Sequence, residues 1–322
     1  MEQTPDETAS LLPLARAGRI FHYRGRSRVD SSSPNQAPVS QFGYLLSTHR
    51  VVQAGDDAVP LLLQQQSFIY LGRGRSSLSM STPMEKREAS IQIHRPAFEV
   101  QVEDRTTAPR LGPDRFGEPL RVSYTDDGFG LNASARRHVL LYSLALPSAL
   151  FARLHAGRTI ERSFDFYLVR EDPGADGRVV PVPADPAPPP AGAERRIHGT
   201  TRLTPKGTES YWLTWRFTVP PDPGDKHSPP AEGYPDRRLA LPALRVDVEV
   251  QMTIRTLGES RSLKDLRRSD RLAWMVLDRP DEPWLLSWDG RIHTISGNPQ
   301  DPSLVESFVS RALFRMETDP AP

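Results

Sequence analysis

Thirty-two prolines spread through 322 residues set the first limit on this fold. Proline removes a backbone donor and breaks a helix interior, so a chain punctuated in this way counts against a helical bundle and suits loops, turns and edge strands. Between the prolines lie short β-branched and aromatic runs bounded by Gly, Pro, Ser or Asp, which read as strands. In the first hundred residues these are Ile20–Tyr23, Phe42–His49, Val59–Gln65, Ser67–Leu71, Ala89–His94 and Phe98–Val102. Further on come Leu120–Tyr124, His138–Leu146, Ser163–Arg170, Trp274–Leu277, Trp284–Trp288 and Arg291–Ile295. Glu209–Pro220 and Leu244–Leu257 read as a long hairpin, and Asp289-Gly290 as a two-residue hairpin turn.

Three segments carry helix signals. Pro147–Gly157 has Pro near its start and Gly just past its end. Asp301–Phe314 has an Asp in the N-cap position and a Pro in the first turn. Ser260–Leu272 is charged and reads as a short surface helix. The expected fold is mainly β: a small N-terminal β unit and a larger antiparallel β-sandwich or barrel-like region, with a few short helices. Residues 1–10 read as a disordered lead-in, 11–95 as the small unit and 96–322 as the larger region. Pro-rich loops are expected at 173–196 and 220–235.

Composition removes several function classes. There is no cysteine, so disulfides, thiolate metal sites, Fe–S clusters and a Cys nucleophile are excluded together. The net charge of +1 argues against a histone-like or acidic-tail protein, without bearing on a local basic patch. The N-terminal residues are polar and acidic, unlike a signal peptide, and no apolar run approaches the ~20 residues needed to span a bilayer. A cytoplasmic protein with no membrane partner is expected.

One stretch stands out chemically. Arg19, His22, Arg24, Arg26 and Arg28 fall within ten residues without an acid among them, and Tyr23 lies in their midst. Alternate strand residues share a face, so His22, Arg24, Arg26 and Arg28 would align. Guanidinium groups so placed repel one another unless an anion lies between them, and the Arg fork suits phosphate. Tyr23, Tyr44, Phe68 and Tyr70 could offer stacking faces for bases. Arg73 and Arg75 follow in a Gly/Arg turn whose amides could hold an anion. The plainer reading is a solvated edge strand whose arginines guard against aggregation.

The order Leu11-Leu12-Pro13, Phe21-His22-Tyr23, Ser31-Ser32-Ser33-Pro34, Tyr44, His49, Phe68-Ile69-Tyr70-Leu71-Gly72, Ser79 and Pro83-Met84 resembles a bacterial domain. That domain lies C-terminal to superfamily II helicase cores and phospholipase-D-type nucleases in restriction-like proteins. The likeness covers residues 11–84, with Tyr23 standing where the family has Trp, and this chain has no phosphate-cradling helicase loop. It implies a nucleic-acid-associated or defence-related module, and it does not extend to residues 96–322.

Other patterns are weaker. Asp236, Asp247, Glu249 and Gln251 imitate a metal-nuclease core with Gln in place of Lys, but they equally fit the solvent face of a strand backed by Val246, Val248 and Val250. The eight histidines are scattered with no pair at metal-ligand spacing, so no metal site is expected. The five tryptophans read as core by default, or as a binding platform. The sequence therefore points to a non-catalytic recognition module, without cofactor, that binds DNA, RNA or another anionic partner inside a protein complex. Its site is expected at Arg19, His22, Tyr23, Arg24, Arg26, Arg28, Tyr70, Arg73 and Arg75. The alternatives are an assembly subunit and, third, a metal-dependent nuclease.

Overall fold

The computed structural model describes residues 17–18, 20–33, 36–55, 58–73, 85–94, 99–107, 120–124, 146, 148–170, 178–184, 188–215, 237–257, 265–281, 283–298, 301–311 and 317–318. Their strands are β1 (Ile20–Ser33), β2 (Gln36–Gln53), β3 (Leu61–Arg73), β4 (Glu85–His94), β5 (Glu99–Thr107) and β6 (Leu120–Tyr124). A helix, α1 (Ser148–His155), follows. Then come β7 (Ile160–Arg170), β8 (Arg178–Pro183), β9 (Ala193–Trp215), β10 (Arg237–Thr256), β11 (Asp265–Leu277), β12 (Leu285–Asn298), β13 (Asp301–Arg311) and β14 (Glu317–Thr318). The fold is all-β, as the proline and strand patterning implied.

The ladder runs β13-β12-β11-β10-β9-β7-β8-β6-β5-β4-β3-β2-β1-β14, and β13 also pairs with β1. Neighbours are antiparallel except β6 and β8, which are parallel and meet at Arg121↔Arg178 and Val122↔Val179. The expected units 11–95 and 96–322 share this sheet, because β4 pairs with β5 and β1 pairs with β13. Residues 1–10 lie outside the described residues, as does nearly all of the strand expected at His138–Leu146.

The strands wrap one hydrophobic core. Phe21, Val51, Leu61, Leu63, Ile91 and Ile93 from β1–β4 join Val246, Val248, Val250, Leu272, Trp274 and Val276 from β10–β11. Leu150, Phe151 and Leu154 of α1 complete it at one end. The helix stops as its sequence suggests. Gly157 takes φ 75°, its N–H bonds to the Leu154 carbonyl at 2.9 Å, and the Arg158 N–H bonds to the Arg153 carbonyl at 3.1 Å. This pair of bonds is the Schellman arrangement that satisfies the last carbonyls of a helix.

Three expectations from local patterning are corrected. Asp301–Arg311 is a strand, not a helix: β13 is paired on both sides, with Phe308 opposite Ile292 of β12 and Val29 of β1. An Asp-Pro start is a local cue, and ladders on both flanks outweigh it. Asp265–Leu277 is likewise a strand. Its period of two is hidden because Arg268 and Asp270 occupy the same buried parity as Leu272, Trp274 and Val276. Asp289-Gly290 is no turn, since β12 runs straight through it.

Glycine at position 290 answers to a different need. Leu272 lies directly opposite, and a Cβ at 290 would meet the Arg271 carbonyl at 2.5 Å. The Pro-rich segment 173–196 also holds more structure than expected: β8 and the start of β9 lie within it. The long hairpin expected between the 209–220 and 244–257 regions is present in a larger form, as β9 and β10 pair from Arg237↔Trp215 to Thr256↔Arg195.

Candidate anion-binding face

Strand alternation divides β1 into two sets. Phe21 and Tyr23 are buried, at 0% and 2% exposure. The Tyr23 hydroxyl accepts a hydrogen bond from Trp284 Nε1 at 2.9 Å and donates to the Leu285 carbonyl at 3.2 Å. Burial pushes its phenol well above the ordinary tyrosine range, so it stays neutral. Tyr23 is therefore a core residue and not a surface platform for bases. His49 stands edge-on to its ring at 5.1 Å, and Ser47 Oγ lies 2.9 Å from His49 Nε2.

His22, Arg24, Arg26 and Arg28 occupy the other parity, as the sequence implied. The register then assembles what no local pattern could. Arg24 is opposite Leu46, which is opposite Phe68; Arg26 is opposite Tyr44, which is opposite Tyr70; Arg28 is opposite Phe42, which is opposite Gly72. The same parity on β2 and β3 includes Arg50, Gln64 and Gln66, all exposed, so this is the outer face of the sheet. On the other flank of β1, Arg26 is opposite Arg311 and Arg28 opposite Val309. Three basic positions thus adjoin four aromatic ones, Phe42, Tyr44, Phe68 and Tyr70, on two neighbouring strands, with a fourth arginine across the β1–β13 ladder.

Besides Tyr23, one expected member does not join them. Arg73 is opposite Gln41 at the end of β3, on the parity of Leu61, Leu63 and Gln65, which face the core. Arg19 and Arg75 lie outside the described residues. Arg311, Phe42 and Leu46 were missed. For Arg311 no local signal exists, since only the β1–β13 pairing reveals it.

The carboxylate pattern resolves into surface pairing. Asp247 lies 3.5 Å from Lys206 Nζ and 3.9 Å from Arg245 Nε, while Val246, Val248 and Val250 are buried behind it. Glu249 is exposed and sits opposite Arg202 and Arg271. Asp236 is outside the described residues. Among the described residues no cluster of three or more His, Asp or Glu has the geometry to hold a metal ion. Trp274, Trp284 and Trp288 are buried, whereas Trp212 is 62% exposed.

No family model and no curated protein matches the chain. Among solved structures, it aligns with a Bacteroides fragilis protein of YmcC-like fold at 6% identity, over 94% of this chain and 96% of that one, with a TM-score of 0.22. That score is too low to support a shared fold.

Proposed function

We propose that the outer face of β1–β3 binds nucleic acid or a similar anionic polymer, and that the protein is a non-catalytic recognition module in a bacterial, defence-like complex. The observation that supports this most is the register that sets Arg26 between Tyr44 and Arg311, with Arg24 and Arg28 beside it. Like charges directly opposite one another destabilise a sheet, and a bound anion relieves that repulsion. Aromatic positions one strand away suit base stacking. The resemblance of residues 11–84 to a helicase- and nuclease-associated domain favours nucleic acid over other anions. Among the described residues no helix is long and apolar enough to cross a membrane. The reading puts the protein in the cytoplasm, where nucleic acid is accessible.

A second reading rests on Trp212. It is exposed on β9 opposite Ala240, which is also exposed, and would suit contact with a protein neighbour in an assembly. Salt separates the two, because phosphate-driven binding weakens steeply as salt rises and an apolar interface persists. The test is a mobility-shift assay at low and moderate salt with single- and double-stranded DNA and RNA, comparing wild type with Arg24→Ala/Arg26→Ala. Salt-sensitive binding lost in the double variant is expected. No binding at low salt, or binding unchanged in the variant, overturns the proposal.

A further inference from the structure

The outer face holds a second like-charge pair far from β1 in sequence. Following one row across the ladder gives Glu161, Arg202, Glu249, Arg271, Arg291, Val309 and Arg28, each directly opposite the next. From β7 to β11 the charges alternate, and each arginine has an acid on a flanking strand. Between β11 and β1 the alternation stops. Arg271 and Arg291 face each other directly, both exposed, and only Val309 separates Arg291 from Arg28 in the row. Acids stand at the margins: Glu249 opposite Arg271, Asp289 two residues before Arg291 and Asp30 two after Arg28.

Resting on the nucleic-acid reading above, we infer that the ligand is a flexible single strand lying across the strands, from Tyr70 and Tyr44 over Arg26 and Arg28 to Arg291 and Arg271. Two features favour a single strand over a duplex. The six strands from β3 to β11 span about 24 Å at the usual strand spacing. They wrap a shared core that includes Phe21 of β1, Leu63 of β3 and Trp274 of β11, so their outer face is convex. A duplex is stiff over hundreds of ångströms and touches such a surface at a tangent, whereas a single strand follows it. The aromatic positions at one end can also stack only on bases free of a partner strand.

The test is equilibrium anisotropy with a short labelled oligothymidylate, a duplex of the same length and heparin, for wild type, Arg24→Ala/Arg26→Ala and Arg271→Ala/Arg291→Ala. Arg271 and Arg291 are exposed, so the second variant should melt like wild type, which circular dichroism checks. Wild type is expected to prefer the oligothymidylate to the duplex. Arg271→Ala/Arg291→Ala should weaken binding roughly tenfold and make the log–log salt dependence shallower by about 1.4, the loss of two single-strand phosphate contacts. If that variant binds like wild type while Arg24→Ala/Arg26→Ala does not, the extended path is wrong and the reading of the β1–β3 face stands. Equal or tighter binding of the duplex, or of heparin, also overturns the inference. If wild type binds none of the three at low salt, the proposed function itself fails.

Discussion

Trp284 donates its indole N–H to the hydroxyl of Tyr23, 261 residues away in sequence, and Phe21 lies with its ring centroid 5.2 Å from that of Trp284. One bond thus ties the first strand to the entry of β12 inside the core. The Leu285 carbonyl takes the hydroxyl proton in turn, so each of these polar atoms has a partner in a setting where leaving one bare is costly.

Tyr23→Phe removes the hydroxyl and leaves the Trp284 N–H buried. A loss of about 1–3 kcal/mol is expected in denaturant unfolding. The pH dependence has a definite sign. An unfolded tyrosine releases its proton near pH 10.0, whereas burial raises the folded value above that. Above that pH the unfolded chain holds fewer protons than the folded one, so stability falls as pH rises. Tyr23→Phe should therefore show a smaller alkaline loss than wild type. Equal slopes above pH 10 would contradict the burial of this phenol.

A second buried polar contact is ionic. Arg268 Nε reaches both oxygens of Asp270, at 2.6 and 2.8 Å, and its Nη2 reaches Oδ2 at 2.6 Å, with the two side chains only 6% and 2% exposed. Asp270→Asn leaves a buried guanidinium uncompensated, and a cost of about 3–5 kcal/mol is expected. Arg268→Met/Asp270→Leu removes both charges and should recover most of it. Chemical denaturation of the three proteins checks this, and a double variant no better than Asp270→Asn would show that the pair does more than cancel its own charge.

These two contacts show where the sequence was legible. The buried parity of β1, β2 and β3 follows the alternation of Phe21, Tyr23, Val51, Leu61 and Leu63, and the α1 stop follows Gly157. In β11 the charged Arg268 and Asp270 sit on the core side, so alternation reads falsely as a surface helix. In β13 local helix cues were overruled by partners on both flanks, one of them β1 from the far end of the chain. The candidate face divided similarly. Alignment of Arg24, Arg26 and Arg28 needs only the period of a strand, but Arg311, Phe42 and Leu46 enter through register alone. Tyr23 was misplaced because a tyrosine between arginines looks the same whether its ring points in or out.

Gly290→Ala tests the close approach of β12 to β11. The added Cβ would meet the Arg271 carbonyl at 2.5 Å and the Leu272 Cα at 2.9 Å, so backbone has to move. A loss of about 1–3 kcal/mol is expected, in the range of overpacking. Hydrogen exchange should show the loosened amides centred on residues 271–272. A neutral substitution would mean that the strands separate there without cost and that Gly290 is not held by packing.

Gly157→Ala probes the opposite situation. Nothing lies within 4 Å of the new Cβ, but φ is +75°, a backbone conformation that L-residues adopt at a cost of about 1–2 kcal/mol. Gly157→Asn should cost less, because Asn tolerates this region. Phe151→Ala, in the same element, removes a ring that is 0% exposed and should cost about 3–5 kcal/mol. Thermal and denaturant unfolding should rank the three variants, in increasing damage, as Gly157→Asn, Gly157→Ala and Phe151→Ala. A Phe151→Ala loss no larger than that of Gly157→Ala would show that α1 covers the core end without packing tightly against it, and that the end of the sheet is held by Trp284 and its neighbours instead.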